Sequence, residues 1–220
     1  KLLDKNHRDL AEALVHVGRM HQCKGNHFNS LAFFQEAIDI YKDSDSGSTS
    51  PEYANACRLL GLSQVASGDS DNALSSLERC LELQEVSYGS DSEQWADVAY
   101  DLGIAKGEAG HYDDAIILLD KFVLLQKGFE NSNSESLSNA LLALGKIYLK
   151  KRSVDNAMVC FDEALGIRKQ LSDNELGLSE VLFQIGGVRE SKKQYLESLV
   201  CYEESLKLRL SVSEEDEDTA

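Results

Sequence analysis

Apolar residues recur along this chain at steps of three and four, in segments separated by short polar stretches. That step is the period of one face of a helix. The segments also repeat one another. Five glycines, each after an apolar residue, set the period: Val17-Gly18, Leu60-Gly61, Leu102-Gly103, Leu144-Gly145 and Ile185-Gly186, at spacings of 43, 42, 42 and 41 residues. Twelve residues after each glycine comes a small side chain: Ser30, Ala73, Ala115, Ala157 and Ser198. Four further on stands a large apolar one, Phe34, Leu77, Leu119, Phe161 or Tyr202, and four beyond that Ile38, Leu81, Val123, Leu165 or Leu206. Each unit is therefore expected to be two amphipathic helices that cross closely where the small residues lie.

The punctuation agrees with this reading. Gly25-Asn26, Gly68-Asp69, Gly110-His111 and Arg152-Ser153 end the first helix of a pair, mostly with a C-terminal glycine and a following capping residue. Polar stretches at 42–50, 87–92, 128–134 and 171–176 separate the units. Ser90 with Glu93, Ser132 with Glu135 and Ser172 with Glu175 fit the S-x-x-E capping box, and Pro51 fits a first helical turn. The predicted pairs are 8–24 with 27–43, 51–67 with 70–86, 93–109 with 112–127, 135–151 with 154–170, and 176–192 with 195–211. Strands are not expected. The fold class is all-α, a right-handed α-α superhelix of five helix pairs, each contacting its neighbours, with a concave inner face.

Size and charge narrow the function. A chain of 220 residues can bury a sizeable core as one elongated array. The net charge of -16, from 38 acidic and 22 basic residues, repels a phosphate backbone and argues against nucleic acid as a partner. No apolar run approaches the roughly 20 residues of a membrane span, so no membrane insertion is expected. Cys23, Cys57, Cys80, Cys160 and Cys201 are odd in number, widely spaced and without a C-x-x-C, which points to free thiols in a reducing, cytoplasmic setting.

These residues resemble tetratricopeptide repeats, with "LLALGKIYLKKRSVDNAMVCFDEAL" (141–165) meeting the signature best. The period exceeds that family's usual length of about 34 by roughly eight residues. The longer unit resembles kinesin light chain repeats, and "KNHRDLA" (5–11) and "YGSDSEQWA" (88–96) are similar to the linker of that group, with Arg8 where its proline would stand. The resemblance covers essentially the whole chain. It implies an array whose first helices line a concave groove. The Asn pair that holds a peptide backbone in kinesin light chain repeats is absent, the positions reading Val15-His16, Arg58-Leu59, Tyr100-Asp101, Leu142-Ala143 and Phe183-Gln184.

The groove implied by the resemblance takes positions six and three before each signature glycine and one, four and five after it. From these the candidate partner-binding residues are Asn55, Arg58, Leu62, Val65, Tyr100, Ile104, Asn139, Leu142, Lys146, Leu149, Lys150 and Phe183. An apolar strip rimmed by polar groups suits a protein or peptide with apolar anchors, and an acidic group on it would meet Arg58, Lys146 or Lys150.

Catalytic and cofactor signals are missing. His16 and His21 are five apart, which places them poorly for one metal, and no H-E-x-x-H, P-loop, dinucleotide fingerprint or calcium loop occurs. No cofactor and no metal are expected. The resulting expectation is a non-enzymatic scaffold or adaptor, kinesin light chain-like, binding peptide segments or a partner subunit. The other reading is a regulatory or sensor repeat segment of a larger signalling NTPase or kinase. The ends continue the register, with Leu2 and Leu3 matching the close of a second helix and "SVSEEDEDTA" matching an inter-repeat linker. Repeats at 8–50, 51–92, 93–134, 135–175 and 176–211 would thus be flanked by parts of further repeats or linkers at 1–7 and 212–220. Exposed apolar faces at both ends are expected to favour end-to-end self-association.

Overall fold

A computed structural model describes residues 2–43, 50–129, 134–172 and 174–218, with side chains between residues 7 and 213. Among the described residues there are ten α-helices and no strand. They are α1 (Leu2–Cys23), α2 (His27–Asp43), α3 (Pro51–Ser67), α4 (Ser70–Tyr88), α5 (Glu93–Glu108), α6 (Tyr112–Gly128), α7 (Ser134–Lys150), α8 (Val154–Arg168), α9 (Glu175–Ser191) and α10 (Tyr195–Asp218). Consecutive helices pair as the repeat predicts. The chain forms two compact units, Lys1–Phe122 and Val123–Ala220.

The signature glycines set the close crossing within each pair. A β-carbon on Gly61 would stand 2.7 Å from Leu77 Cγ, and one on Gly103 would stand 2.8 Å from Leu119 Cγ. Gly18 likewise faces Phe34, Gly145 faces Phe161 and Gly186 faces Tyr202. Every one of these partners lies sixteen residues after its glycine, so the period seen in sequence is a packing rule. Glycine inside a helix ordinarily costs about 1 kcal/mol relative to alanine. That loss is offset here by wholly burying Phe34, Leu77, Leu119 and Phe161 against the bare backbone.

In the first unit one cluster joins α1, α2 and α3 through Val15, Phe34, Ile38, Tyr41, Tyr53 and Leu60. Leu77, Leu102 and Ala105 join α4 to α5. In the second unit Phe161, Ala164, Val181, Leu182 and Ile185 are buried on α8 and α9.

All five turns inside the pairs place one residue in the left-handed region: Gly25, Gly68, Gly110, Arg152 and Lys193, with φ between 61° and 88°. In the first turn Gly25 N–H donates to Gln22 O and Asn26 N–H to His21 O, both at 2.9 Å. The corresponding amide bonds recur at Gly68, Arg152 and Lys193. This double bond satisfies the orphan carbonyls at a helix end. A side chain in this conformation is disfavoured by about 1–2 kcal/mol, and a glycine gives back part of that gain as greater freedom in the unfolded chain. Lys193→Gly should therefore raise stability by about 0.5–1 kcal/mol, read as a higher urea midpoint at unchanged slope. A lower midpoint would contradict this account of the turn.

Two local expectations need correction. The cap of α5 is Ser92, whose hydroxyl accepts from Trp95 N–H at 3.2 Å, so Ser90 does not form the expected box with Glu93. Asn174 stands at the N-cap of α9 without a side-chain capping bond, which leaves Ser172 outside the helix. In both cases the glutamate sits in the first helical position, too early to reach back to a serine three residues upstream. Ser132 lies outside the described residues. Ser50 caps α3 as a partner to Tyr53 N–H at 3.1 Å, with Pro51 opening the helix as expected.

The two outer helices also exceed their predicted spans. α1 begins at Leu2, and α10 continues to Asp218 through the stretch expected to be a linker. Neither 1–23 nor 195–218 holds an interior breaker apart from Gly18, and Leu, Glu, Lys and Arg are good helix formers. Thr219 and Ala220 lie outside the described residues.

Candidate protein-interaction surfaces

The candidate residues fall on the first helices of the pairs, α3 and α5 in the first unit and α7 and α9 in the second. In the first unit Asn55 is exposed, and Leu62, Val65, Tyr100 and Ile104 are half-buried. Arg58 joins the two helices. Its Nε donates to Asp101 Oδ2 on α5 at 2.5 Å, and its Nη1 lies 3.7 Å from Asp97 Oδ2. Tyr100, next in sequence, stacks at a tilt on Phe122 with ring centroids 5.0 Å apart. These are half-buried apolar groups around an ion pair.

Burial controls the chemistry of that pair. Removal from water pushes the Asp101 carboxyl above the usual carboxylate range, and the charge of Arg58 pulls it back only in part. Arg58 itself stays charged, because Asp101 and Asp97 outweigh its own burial. Near the far end of α5, Lys106 Nζ is held 2.8 Å from Glu78 and 3.5 Å from Asp114. Cations and carboxylates thus pair between neighbouring helices on both sides of α5, so the excess negative charge is partly neutralised inside the fold.

In the second unit Lys146 of α7 reaches Glu180 of α9 at 2.5 Å. Leu149 is half-buried and Lys150 exposed. Phe183 is 49 % exposed and packs on Tyr202 with centroids 5.3 Å apart. Two residues differ from expectation. Leu142 is only 5 % exposed and belongs to the core, as does Val15 at the same register, which packs in one cluster with residues of α3. Asn139 faces Arg168: its Oδ1 accepts from Arg168 Nη2, while Arg168 Nη1 donates to Asn174 Oδ1 at 2.5 Å. Arg168 is 4 % exposed, so this network ties α7, α8 and the loop before α9 together.

The sequence reading missed Asp97, Asp101 and Arg168 as structural partners. A signal was present. The twenty-third residue after each glycine is Tyr41, Gln84, Gln126, Arg168 or Arg209, a long polar group on an otherwise apolar stripe. Such a position implies a hydrogen-bonded network rather than a solvated face.

The described residues hold no group of three or more His, Cys, Asp or Glu suited to a metal. Cys57, Cys80 and Cys201 are buried, Cys23 is exposed, and none of the five cysteines forms a disulfide. Burial pushes the Cys80 thiol up to about 12, far from the reactive range. No described helix is long and apolar enough to cross a membrane.

Comparison with known proteins agrees with this architecture. A tetratricopeptide repeat model matches residues 9–85 and 59–121, and a second tetratricopeptide repeat model matches 138–171. No curated protein sequence matches the chain. Among solved structures, BtubC (BKLC) from P. vanneervenii superposes with a TM-score of 0.81 at 17% identity, over 94% of this chain and 82% of that one. A putative kinesin light chain with nearly identical TPR-like repeats from Podospora anserina gives 0.77 at 17% identity, over 94% and 97%. MamA gives 0.63 at 21% identity, over 90% and 97%. At these identities the likeness is one of fold. Glycine-marked helix pairs, left-handed turns and the matched segments lead to one assignment: the chain belongs to the tetratricopeptide repeat family.

Proposed function

We propose that this protein is a non-enzymatic scaffold or adaptor of the cytoplasm, similar in use to kinesin light chain arrays, which takes a protein segment along its first helices. The observation that carries the reading is the strip on α3 and α5, where Leu62, Val65, Tyr100 and Ile104 stay half-accessible around Arg58. Apolar anchors on a partner fill the spaces beside Leu62, Val65 and Ile104. An acidic group on it competes with Asp97, the more distant of the two carboxylates on Arg58 and itself 49 % exposed. Asp101 keeps its place, since it is bonded at 2.5 Å and largely buried. In the second unit Leu149, Lys150 and Phe183 offer a similar mixture, with Lys146 already engaged by Glu180.

The test uses Val65→Asp and Ile104→Asp, compared with Ile117→Asp on α6, whose side chain is 67 % exposed. Leu142→Asp is unsuitable, because a buried charge there would unfold the second unit. With thermal unfolding unchanged, recovery of bound partner should fall tenfold or more for Val65→Asp and Ile104→Asp, equivalent to at least about 1.4 kcal/mol. Equal recovery for all three variants would refute the strip as the binding surface.

A further inference from the structure

We infer that the groove between α4 and α6, floored by α5, docks a partner segment presenting a large apolar side chain and, about one helical turn away, a lysine or arginine. None of Leu62, Val65, Tyr100 and Ile104 lines it, so this second site stands apart from the strip on α3 and α5.

The groove is an open pocket of about 370 Å³ with an apolar and a charged level. Leu81 of α4, Leu102 of α5 and Leu118 of α6 pack in one cluster, and Ile117, 67 % exposed, lines the pocket beside them. At the charged level Lys106 Nζ lies 2.8 Å from Glu78 Oε1 and 3.5 Å from Asp114 Oδ2. Glu78 stands three residues before Leu81, Asp114 three before Ile117, and Lys106 four after Leu102. With α5 antiparallel to its neighbours, all three helices therefore separate the two levels by one turn, roughly 5 Å.

The repeat supplies its own comparison. At the preceding junction, between α2 and α4, the register of Lys106, Ile117 and Leu118 is occupied by Gln64, Ser75 and Ser76. There Ser76 Oγ donates to Gln64 Oε1 at 2.8 Å. Ile38, the counterpart of Leu81, is 3 % exposed, whereas Leu81 is half-buried. Gln35, Asp39 and Asn72 stand in the register of Glu78, Glu82 and Asp114. Gln35 Nε2 donates to Asp39 Oδ1 at 3.0 Å, and Asn72 Nδ2 to Asp69 Oδ2 at 2.8 Å. The earlier junction thus satisfies its polar groups within the chain and covers its apolar one. The α4–α6 junction instead leaves apolar side chains open to water beneath three carboxylates.

Charge selects the occupant. Glu82 is bonded to Arg79 Nη1 on its own helix at 3.1 Å, and Lys106 is shared by Glu78 and Asp114. A carboxylate accepts at two oxygens, and about half of each of the Glu78 and Asp114 side chains remains exposed. A second cation can bond their open oxygens without displacing Lys106. An incoming carboxylate would meet like charge on both walls, with the lysine already engaged. The net charge of -16 steers approach in the same sense. Once the cation is seated, an apolar side chain one turn away covers Leu81 and Ile117 and removes them from water.

A phage-displayed library of random peptides, selected on the 220-residue chain, tests this, with the affinities of enriched peptides read by fluorescence anisotropy. Some should depend on Ile117 and carry a large apolar residue with a lysine or arginine about three or four positions away if helical, or about two if extended. For such a peptide Ile117→Asp and Glu78→Gln/Asp114→Asn should each weaken binding at least tenfold at unchanged circular dichroism. Replacing the peptide's own cation by glutamate should do the same, while Ile104→Asp should leave binding unchanged. Peptides of the strip behave conversely, lost with Ile104→Asp and kept with Ile117→Asp, so failure of one site leaves the other readable. Absence of any enriched peptide that depends on Ile117 would overturn the inference. So would Ile117-dependent peptides that are acidic or indifferent to Glu78→Gln/Asp114→Asn.

Discussion

Phe161→Ala is expected to destabilise the second unit by about 3–5 kcal/mol, the usual cost of removing a fully buried phenyl ring. The ring lies directly over Gly145, where a β-carbon would collide with it. Gly145→Ala, which would stabilise an ordinary helix by about 1 kcal/mol, should therefore destabilise this one. In Gly145→Ala/Phe161→Ala the new methyl has room and occupies part of the cavity. The loss in the double variant should fall below the sum of the two single losses by roughly 1–2 kcal/mol. Urea unfolding of the four chains measures that coupling. Simple additivity would mean the glycine serves no packing purpose, and the explanation of the 42-residue period would fail with it.

Arg58→Met should cost about 2–3 kcal/mol at pH 7. Breaking a buried ion pair typically costs about 3–5 kcal/mol, and the third of the Arg58 side chain left in water reduces the figure here. The loss arises because Asp101 would keep its charge in a poorly solvated place. Its direction with pH follows. Asp101 has a folded pKa above its unfolded value, so the stability it contributes is complete below the unfolded carboxylate range near 3.9 and is lost as pH rises through the folded value. Without Arg58 that folded value moves further up. Destabilisation by Arg58→Met should then be small near pH 4 and full at pH 7. Arg58→Met/Asp101→Asn should recover much of the stability and show little of this pH dependence. A pH-independent effect of Arg58→Met would point to lost packing of the arginine stem instead.

Most of the fold was legible because its determinants are local and repeated. The glycine register placed every helix pair, and the turn residues Gly25, Gly68, Gly110 and Arg152 took the left-handed conformation their positions demand. Lys193, the fifth of that series, carries no glycine-like signal and was visible only through the period. Caps were read less well. Ser90 and Ser92 both precede Glu93, and which one accepts the amide depends on how the chain leaves Gly89.

The candidate surface was legible as a set of helix positions and much less so as chemistry. Position three before the glycine illustrates this. It is Val15 and Leu142 in the core, Arg58 in an ion pair, Tyr100 on Phe122 and Phe183 at a pocket. One helical position thus spans buried to half-exposed, since its accessibility depends on the helix laid beside it. The Arg168 network is similar, because its partners Asn139 and Asn174 stand 29 and 6 residues away. Such pairings come from the stacking of pairs, which a single unit does not display.

The claim that a partner lies along α3 and α5 is tested most directly by covalent capture. A photoreactive phenylalanine analogue at Ile104 should crosslink one partner, recoverable as a defined peptide, and the same peptide should be captured from Val65 on the adjoining helix. From Ile117, exposed on α6, it should be absent. Capture from Ile117 with none from Ile104 and Val65 would contradict the account.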